Sequence, residues 1–426
     1  MERHQYIYIC YRMFGNIMRS MVPKRDTRQE ILTEAFLMYE DLGNRKFSLS
    51  EIAAKVGISK TAIFRHFKNK DALIQVMTET VFTGLSSVLN SKDFFFTRTE
   101  SKEYSFEEFS DLIDTVLSFF MEHPGYLGFT LNSGILTQKT DEPIFSILKK
   151  HGVMFSEEYI NSSNLRRFFR AYFCTESIIF FLVRRNCLLK INSSEVPSDE
   201  EFKKTITDVL WNGISKRKDK LSHERRAELD KLCEIIVPEA GDDARFFMAF
   251  TEVFNEYGIE GITIERISEK LNLAKSSLYS YFNNKEEYIT KMLSSELRVI
   301  MDMLSERLKA ATSIEEIAYI LLVSEKNYLE QRPFVLTIHS WASQQGFNLD
   351  RMTGKEKSET EDKLAIIKDK GFEIKNGLSV KTILGWVSSV IGTLKLYFKV
   401  PVETADYVGE LFDLICFGLS KSISNK

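Results

Sequence analysis

Several side chains that can bind phosphates and base edges are concentrated between residues 60 and 66. Lys60, Thr61, Arg65 and His66 carry ammonium, hydroxyl, guanidinium and imidazole groups. Such groups form hydrogen bonds with phosphate oxygens and with acceptors on the base edges of the major groove. No nucleophile with its base and no convincing carboxylate pair accompanies them. The chemistry that they indicate is therefore binding of nucleic acid rather than turnover.

These donors need a short, firmly placed helix if they are to reach duplex DNA. Apolar residues recur at helical spacing between 28 and 39, so a first helix is expected there, with Gly43 at its end. Ser48 followed by Glu51 is a capping-box pattern, which predicts a second helix that Gly57 ends. Ser59 then starts a third helix through residue 67, and Asn69 caps a fourth. The inward face of the third helix is predicted to hold Ile63, Phe64 and Phe67.

The chain contains an internal repeat. VGISKTAIFRHFKNKDAL at 56–73 recurs as LNLAKSSLYSYFNNKEEY at 271–288, an offset of 215. SFEEF at 105–109 is matched by SIEEI at 313–317, and DVLWNGISK at 208–216 by DLICFGLSK at 413–421. Three matched blocks in the same order indicate a duplicated unit.

Both copies of the first block resemble the DNA-binding region of the TetR family of transcriptional regulators. The resemblance rests on Ile52-Ala53, Gly57-Ile58-Ser59, Phe64-Arg65-His66-Phe67 and Lys70. It implies an all-α fold of two tandem units, each with an N-terminal helix-turn-helix domain of three helices and a helical domain for ligand binding and dimerisation. It also implies a ligand-responsive transcriptional regulator, a repressor, rather than an enzyme.

The resemblance assigns DNA contacts residue by residue. In the first copy they are Ser59, Lys60, Thr61, Arg65, His66 and Lys70, and in the second they are Lys275, Ser276, Tyr279, Tyr281 and Lys285. The family usually has a tyrosine at the position of Phe64, where its hydroxyl meets a phosphate, so that contact is absent here. In the second copy Asn272 and Ala274 replace the glycine and the serine of the turn.

Local charge separates the two copies. Residues 24–70 hold ten Lys and Arg against six Asp and Glu, a net +4, whereas residues 239–285 hold five against eight, a net -3. Neutralisation of phosphates supplies most non-specific affinity, so the first copy is predicted to bind DNA more strongly. The alternative is a degenerate regulator whose second half acts as a protein-interaction or ligand-sensing module without binding DNA.

The repeat sets the expected domain boundaries. They are an N-terminal arm at 1–22, which is either disordered or precedes the true start; helix-turn-helix domains at 23–70 and 239–285; helical bodies at 71–215 and 286–426; and a linker helix at 216–238. The resemblance implies an effector pocket in each body, and the many phenylalanines suggest an apolar effector. The lining residues proposed for it are Phe120, Tyr126, Phe129 and Phe155 in the first half and His339 and Trp341 in the second.

The last two helices of each half form the expected association surface, because TetR proteins pair through such helices. Gly385, Ser389 and Gly392 fall on one face of a second-half helix, opposite the bulky first-half stretch from Phe168 to Leu182. Large residues against small ones predict an intramolecular pseudo-dimer. A homodimer of whole chains that uses only the basic first head is the rival arrangement.

Composition and motifs exclude several other classes. The five cysteines lie far apart without a CxxC pair, which indicates reduced thiols and no zinc site, and no cofactor or metal is expected. The longest apolar run, 317–323, is too short to span a bilayer, and the IYIC stretch is too short for an export signal. HExxH, GxSxG and phosphate-loop patterns are absent from the sequence. A cytoplasmic protein without membrane contact is expected.

Overall fold

The computed structural model consists of helices and connecting segments, and no strand occurs in the residues that it describes. These residues are 26–40, 48–92, 94, 103–123, 125–132, 148–156, 165–191, 193–217, 220–234, 242–257, 261–279, 285–332, 335, 371–397 and 406–422. The predicted arm at 1–22, and also Gly43, Tyr281, His339 and Trp341, lie outside them.

The first half begins with a small helical head. Its helices are α1 (Thr27–Glu40), α2 (Leu49–Val56), α3 (Lys60–Ile63) and the start of α4 (Lys70–Ser91). The same half continues with α5 (Phe106–Glu122), α6 (Tyr126–Asn132), α7 (Leu165–Lys190) and α8 (Asp199–Asn212). Ile31, Ile52, Ile63 and Leu73, one from each helix of the head, are completely buried together. The head thus has a core of its own.

The second half repeats the order of α1 to α5 and of α7 and α8. A linker helix α9 (His223–Leu232) leads to α10 (Asp242–Tyr257), α11 (Ile264–Leu271), α12 (Lys275–Tyr279), α13 (Lys285–Leu308), α14 (Ile314–Gln331), α15 (Val380–Tyr397) and α16 (Tyr407–Ser422). Linker helix α9 is fixed to α14, where the guanidinium of Arg225 donates two hydrogen bonds, of 2.8 and 2.9 Å, to the carboxylate of Glu316. Tyr319 adds a hydrogen bond of 2.9 Å to Asp230. The linker is therefore packed on the second body.

The first body reaches back to the first head through α6. Phe129 is completely buried, and its ring makes edge contacts with Phe36 and Tyr39 of α1, at centroid distances of 5.5 and 5.1 Å. Tyr126, at the start of α6, lies 4.5 Å from the ring of Phe36. Any shift of α6 in the body would therefore move α1 in the head.

Helices α7 and α8 of the first half pack against α15 and α16 of the second. Helices α8 and α16 approach each other closely at two glycines that occupy equivalent positions of the repeat. A Cβ on Gly213 would lie 2.3 Å from the carbonyl oxygen of Cys416, and a Cβ on Gly418 would lie 2.4 Å from that of Trp211. Because no side chain fits there, glycine is needed at both positions.

This contact is reciprocal. Gly213 and Gly418 have almost the same backbone conformation, with φ/ψ of 67/-173° and 69/-170°. In the repeat, Gly213 corresponds to Gly418 and Trp211 corresponds to Cys416. Gly213 faces Cys416 and Gly418 faces Trp211, so the two contacts are equivalent. Contacts of this kind are the signature of a two-fold interface between like subunits. At these positions the contact between the two halves is therefore approximately symmetric.

The large-against-small pattern also brings α7 and α15 together. A Cβ on Gly385 would lie 3.4 Å from the ring of Phe180. A Cβ on Gly392 would have no described atom within 4 Å. The indole N–H of Trp386 donates to Ser177 Oγ at 2.9 Å, and Ser389 donates to Glu176 Oε1 at 2.7 Å. The helices thus interlock through buried polar groups as well as through ring packing.

One described helix, α4, is long and apolar enough to cross a membrane. Its first turn carries Lys70 and Asp71, and its apolar residues divide between two protein cores. Leu73, Met77 and Val81 belong to the core of the head, and Phe82 and Leu89 belong to that of the body. These contacts give α4 the role of a connecting helix.

Candidate nucleic-acid interface

The second helix of the first head is fixed at both ends as the sequence predicts. Ser48 Oγ accepts a hydrogen bond of 3.2 Å from the N–H of Glu51, and the Glu51 carboxylate accepts one of 2.6 Å from the N–H of Ser48. Gly57 ends the helix in the left-handed conformation, with φ of 73°. The capping box and the glycine stop together set the angle at which the next helix leaves.

Helix α3 presents the predicted donors to solvent. Ser59 caps it by accepting a hydrogen bond of 3.1 Å from the N–H of Ala62. Ile63 and Phe67 are buried in the head, and the side chains between and before them face outward. The exposed residues on this surface are Ser59, Lys60, Thr61, Phe64, Arg65 and His66.

The prediction that Phe64 faces inward is wrong, since 46% of this residue is exposed. The helix ends at Ile63 and the chain continues as a tight turn, so the wheel of a continuous helix does not apply to residue 64. Tyr279 occupies the equivalent place in the second head and is similarly exposed, at 47%. Both rings belong to the exposed surface of their heads.

The start of α4 adds a further anchor beside α3. Asn69 caps this helix by accepting a hydrogen bond of 2.8 Å from the N–H of Ala72, and the half-buried Lys70 follows it. The N-terminus of a helix attracts anions through its free N–H groups and its dipole. The guanidinium of Arg28 lies 5.2 Å from the ring centre of the buried Phe67 and so connects α1 to this region.

The turn of the second head has the same geometry despite its different sequence. Asn272 ends α11 with φ of 54°, in the left-handed conformation that Gly57 adopts in the first head. Asparagine is the residue that replaces glycine most readily in this conformation. Thr263 caps α11 through the N–H of Arg266, at 3.3 Å. Loss of the glycine has therefore left the helix-turn-helix geometry in place.

The two heads differ in what their cations contact. Lys275 of α12 forms an ion pair with Glu265, and Lys270 pairs with Glu256 at 2.9 Å. The hydrogen bond from Lys275 lowers the pKa of the Glu265 carboxyl, so the pair is ionised at neutral pH. Within the described part of the chain, neither Lys60 nor Arg65 has an ion-pair partner. Reasoning from the sequence missed Glu265, although it occupies the place of Ser50 at the repeat offset.

The remaining predicted contacts of the second head are only partly described. Ser276 and Tyr279 are exposed beside Lys275, on the surface that corresponds to that of α3. Lys285 begins α13, as Lys70 begins α4. Tyr281 lies outside the described residues.

The four described residues among those predicted to line an effector pocket divide between two cores, that of the head and that of the body. Phe129 and Tyr126 pack on α1, and burial raises the pKa of the Tyr126 hydroxyl. Phe120 and Phe155 are half-buried against the core of the body. His339 and Trp341 of the second half lie outside the described residues. No group of metal-ligating side chains occurs in the described ranges.

An all-helical chain with two helix-turn-helix heads defines a class of DNA-binding protein, and comparison with known proteins agrees. The model of the bacterial regulatory proteins of the tetR family matches residues 31–77 and again residues 249–289. The resemblance to TetR proteins is thus confirmed for both heads. Two regions of the chain, in tandem, are thus similar to the DNA-binding region of this family.

Relatives extend the similarity. The chain is 21% identical over 282 residues to the uncharacterised HTH-type transcriptional regulator YxbF of Bacillus subtilis. The aligned region covers 64% of this chain and 68% of that protein. It is 28% identical to the nucleoid occlusion factor SlmA of Alteromonas mediterranea over 24% of this chain and 50% of that protein. It is 34% identical to SlmA of Escherichia coli over 16% of this chain and 37% of that protein. The match to YxbF is longer than the repeat offset and so extends beyond one half.

Proposed function

We propose that this protein is a ligand-responsive repressor that binds duplex DNA mainly through α3 of its first head. The observation that carries the proposal is the contrast between the two reading helices. Lys60 and Arg65 are exposed without ion-pair partners in the described residues, whereas Lys275 is paired with Glu265. A cation that must first leave a carboxylate gains less from a phosphate, so the first head supplies most of the affinity.

The two halves act as a covalent pseudo-dimer in this proposal. Domains 23–70 and 71–215 form one unit, 239–285 and 286–426 form the other, and 216–238 connects them. The reciprocal contact of Gly213 and Gly418 supports it, because it has the form of a subunit interface. Such a pair spaces two heads for successive turns of the major groove. A DNA-binding regulator of this kind acts in the cytoplasm.

The response to an apolar effector passes from the first body to the first head through α6. Phe129 and Tyr126 of α6 contact α1, so a ligand that displaces α6 would turn the head. The ligand then favours a state in which the heads no longer fit the DNA together. Derepression is the expected outcome.

A gel-shift titration with the chain's own promoter region tests this assignment. Lys60→Ala is expected to weaken binding by about 5- to 150-fold, the loss typical of one base or phosphate contact. Lys275→Ala, at the equivalent position, is the matched control and should change binding by less than about 2-fold. Thr61→Ala should relax the sequence preference. Equal effects of the two lysine variants would contradict the proposal, as would a folded chain that binds no duplex at low salt.

A second candidate function is that the second head does not bind DNA. The pairing of Lys275 with Glu265 favours this candidate. Glu265→Ser, which copies Ser50 of the first head, releases the lysine. If the second head lies on DNA, this variant should raise affinity and make the salt dependence steeper by about one counterion. No change in either quantity would assign the second head to protein interaction or ligand sensing instead.

A further inference from the structure

A groove of about 520 Å³ lies where the first half, the linker helix and the second half meet. Its walls include Arg166 and Phe169 of α7, Lys220 and Arg226 of the linker region, and Glu410 and Asp413 of α16. The volume falls in the range of sites for small molecules, about 300–1,000 Å³. None of the residues predicted to line an effector pocket belongs to it.

The guanidinium of Arg226 is held in this wall by aromatic rings. Its central carbon lies 5.1 Å from the ring centre of Phe412 and 5.7 Å from that of Tyr319. Within the described residues Arg226 has no ion-pair partner, and its buried Nε makes no hydrogen bond. A planar cation that is fixed in position but lacks a counter-ion is suited to a carboxylate.

Acidic groups also line the groove. Asp406 and Glu410 lie in or just before the first turn of α16, where the helix dipole favours their ionised form. Asp413 pairs with Lys220 through one carboxylate oxygen, while the other, Oδ1, is buried and makes no hydrogen bond. Asp406 is exposed and Glu410 is half-buried, so these are the carboxylates of the groove that a cationic group can approach.

We infer that this groove binds a small zwitterion, an amino acid or a short peptide, whose carboxylate faces Arg226 and whose ammonium faces Asp406 and Glu410. The half-buried Leu221 offers apolar surface to the rest of the molecule. Mixed charge on the walls disfavours a simple anion, because a phosphate would meet the carboxylates of α16 as well as the arginine. The ligand would touch both halves and the linker, so it would stabilise their mutual packing.

The test uses the purified full chain without DNA, so its result does not depend on the proposed function. The twenty standard amino acids and glycylglycine are each added at 10 mM, and the melting temperature is measured. A zwitterion present at about 100 times its Kd should raise the melting temperature by about 3 °C. Three control compounds are then compared with the best ligand. Its N-acetyl derivative lacks the ammonium charge, its amide lacks the carboxylate charge, and inorganic phosphate is an anion alone.

The inference requires that the intact zwitterion stabilises the chain and that the two derivatives and phosphate do not. Arg226→Gln should weaken binding by about 10- to 100-fold in calorimetry, the loss of one charge-assisted hydrogen bond. Lys231→Gln, an exposed change on the same helix, is the control and should bind normally. Glu410→Gln should reduce the preference for the free ammonium over its N-acetyl form. Stabilisation by phosphate alone, unchanged binding in Arg226→Gln, or no response to any probe would overturn the inference.

Discussion

Gly213→Ala tests whether the close contact between α8 and α16 holds the two halves together. The new methyl group would lie 2.3 Å from the carbonyl oxygen of Cys416, a distance at which the backbone must move. The conformation at residue 213, φ 67° and ψ -173°, is also one that only glycine adopts readily. Both effects act on the folded state.

The expected loss of unfolding free energy follows from these two effects. The backbone conformation costs an alanine about 1–3 kcal/mol, and overpacking costs about 1–3 kcal/mol more. The sum, about 2–6 kcal/mol, is a large part of the 5–15 kcal/mol that stabilises an ordinary domain. Gly418→Ala should cost a similar amount, because its Cβ would meet the carbonyl oxygen of Trp211 at 2.4 Å.

Urea unfolding followed by circular dichroism and by tryptophan fluorescence measures this loss. Gly377→Ala is the matched control, since Gly377 has φ of 69° but no described atom within 4 Å of a Cβ. Its free energy of unfolding should fall by only about 1–2 kcal/mol, the cost of an alanine in left-handed backbone. The double variant of Gly213 and Gly418 should cost less than the sum of the single changes, because both act on one contact. If Gly213→Ala were no less stable than Gly377→Ala, the reasoning about this interface would be refuted.

Three further predictions concern single side chains. Phe64→Tyr places a hydroxyl on the exposed surface of α3 and should raise DNA affinity by about 2- to 10-fold in the gel-shift assay; unchanged affinity would show that residue 64 does not face a phosphate. Ser48→Ala removes the capping box of α2 and should lower the unfolding free energy by about 1 kcal/mol in urea, and a loss below about 0.3 kcal/mol would contradict the role of this cap. Burial raises the pKa of Glu325 from 4.5 to about 7, with a hydrogen bond from Ser388 opposing the shift. The protonated carboxyl of Glu325 therefore favours the folded chain, and this stabilisation is complete below pH 4.5. It is lost as the pH rises through 7, and the free energy of unfolding falls by up to about 3 kcal/mol. Glu325→Gln should therefore gain stability relative to the natural chain between pH 5 and pH 8, and equal pH profiles of the two proteins would show that Glu325 does not titrate as described.

Features that depend on neighbours in the chain could be predicted from the sequence. Ser48, Glu51 and Gly57 form caps with residues at most four positions away, so their types and spacing were enough. The exposure of Lys60 and Thr61 follows from the same local pattern. Phe64 was placed wrongly because a helical wheel was extended beyond the point where α3 ends.

Contacts between distant residues could not be predicted in this way. Phe129 was proposed as a ligand contact, and the structure places it against α1, about 90 positions earlier in the chain. No local periodicity reports such a partner. The pairing of Lys275 with Glu265 depends on the orientation of two helices, although the change from Ser50 to Glu265 was a signal within the repeat.

The packing of α7 and α8 on α15 and α16 within one polypeptide has a consequence for how much protein a cell needs. Separate subunits must meet by diffusion, whereas tethered halves meet at an effective concentration in the millimolar range. Occupancy of a target would then rise linearly with the number of chains rather than with its square. If both heads lie on DNA, their fixed order would also give the bound molecule a direction, so inverting the target on the chromosome would leave the affinity unchanged and reverse the way the molecule points.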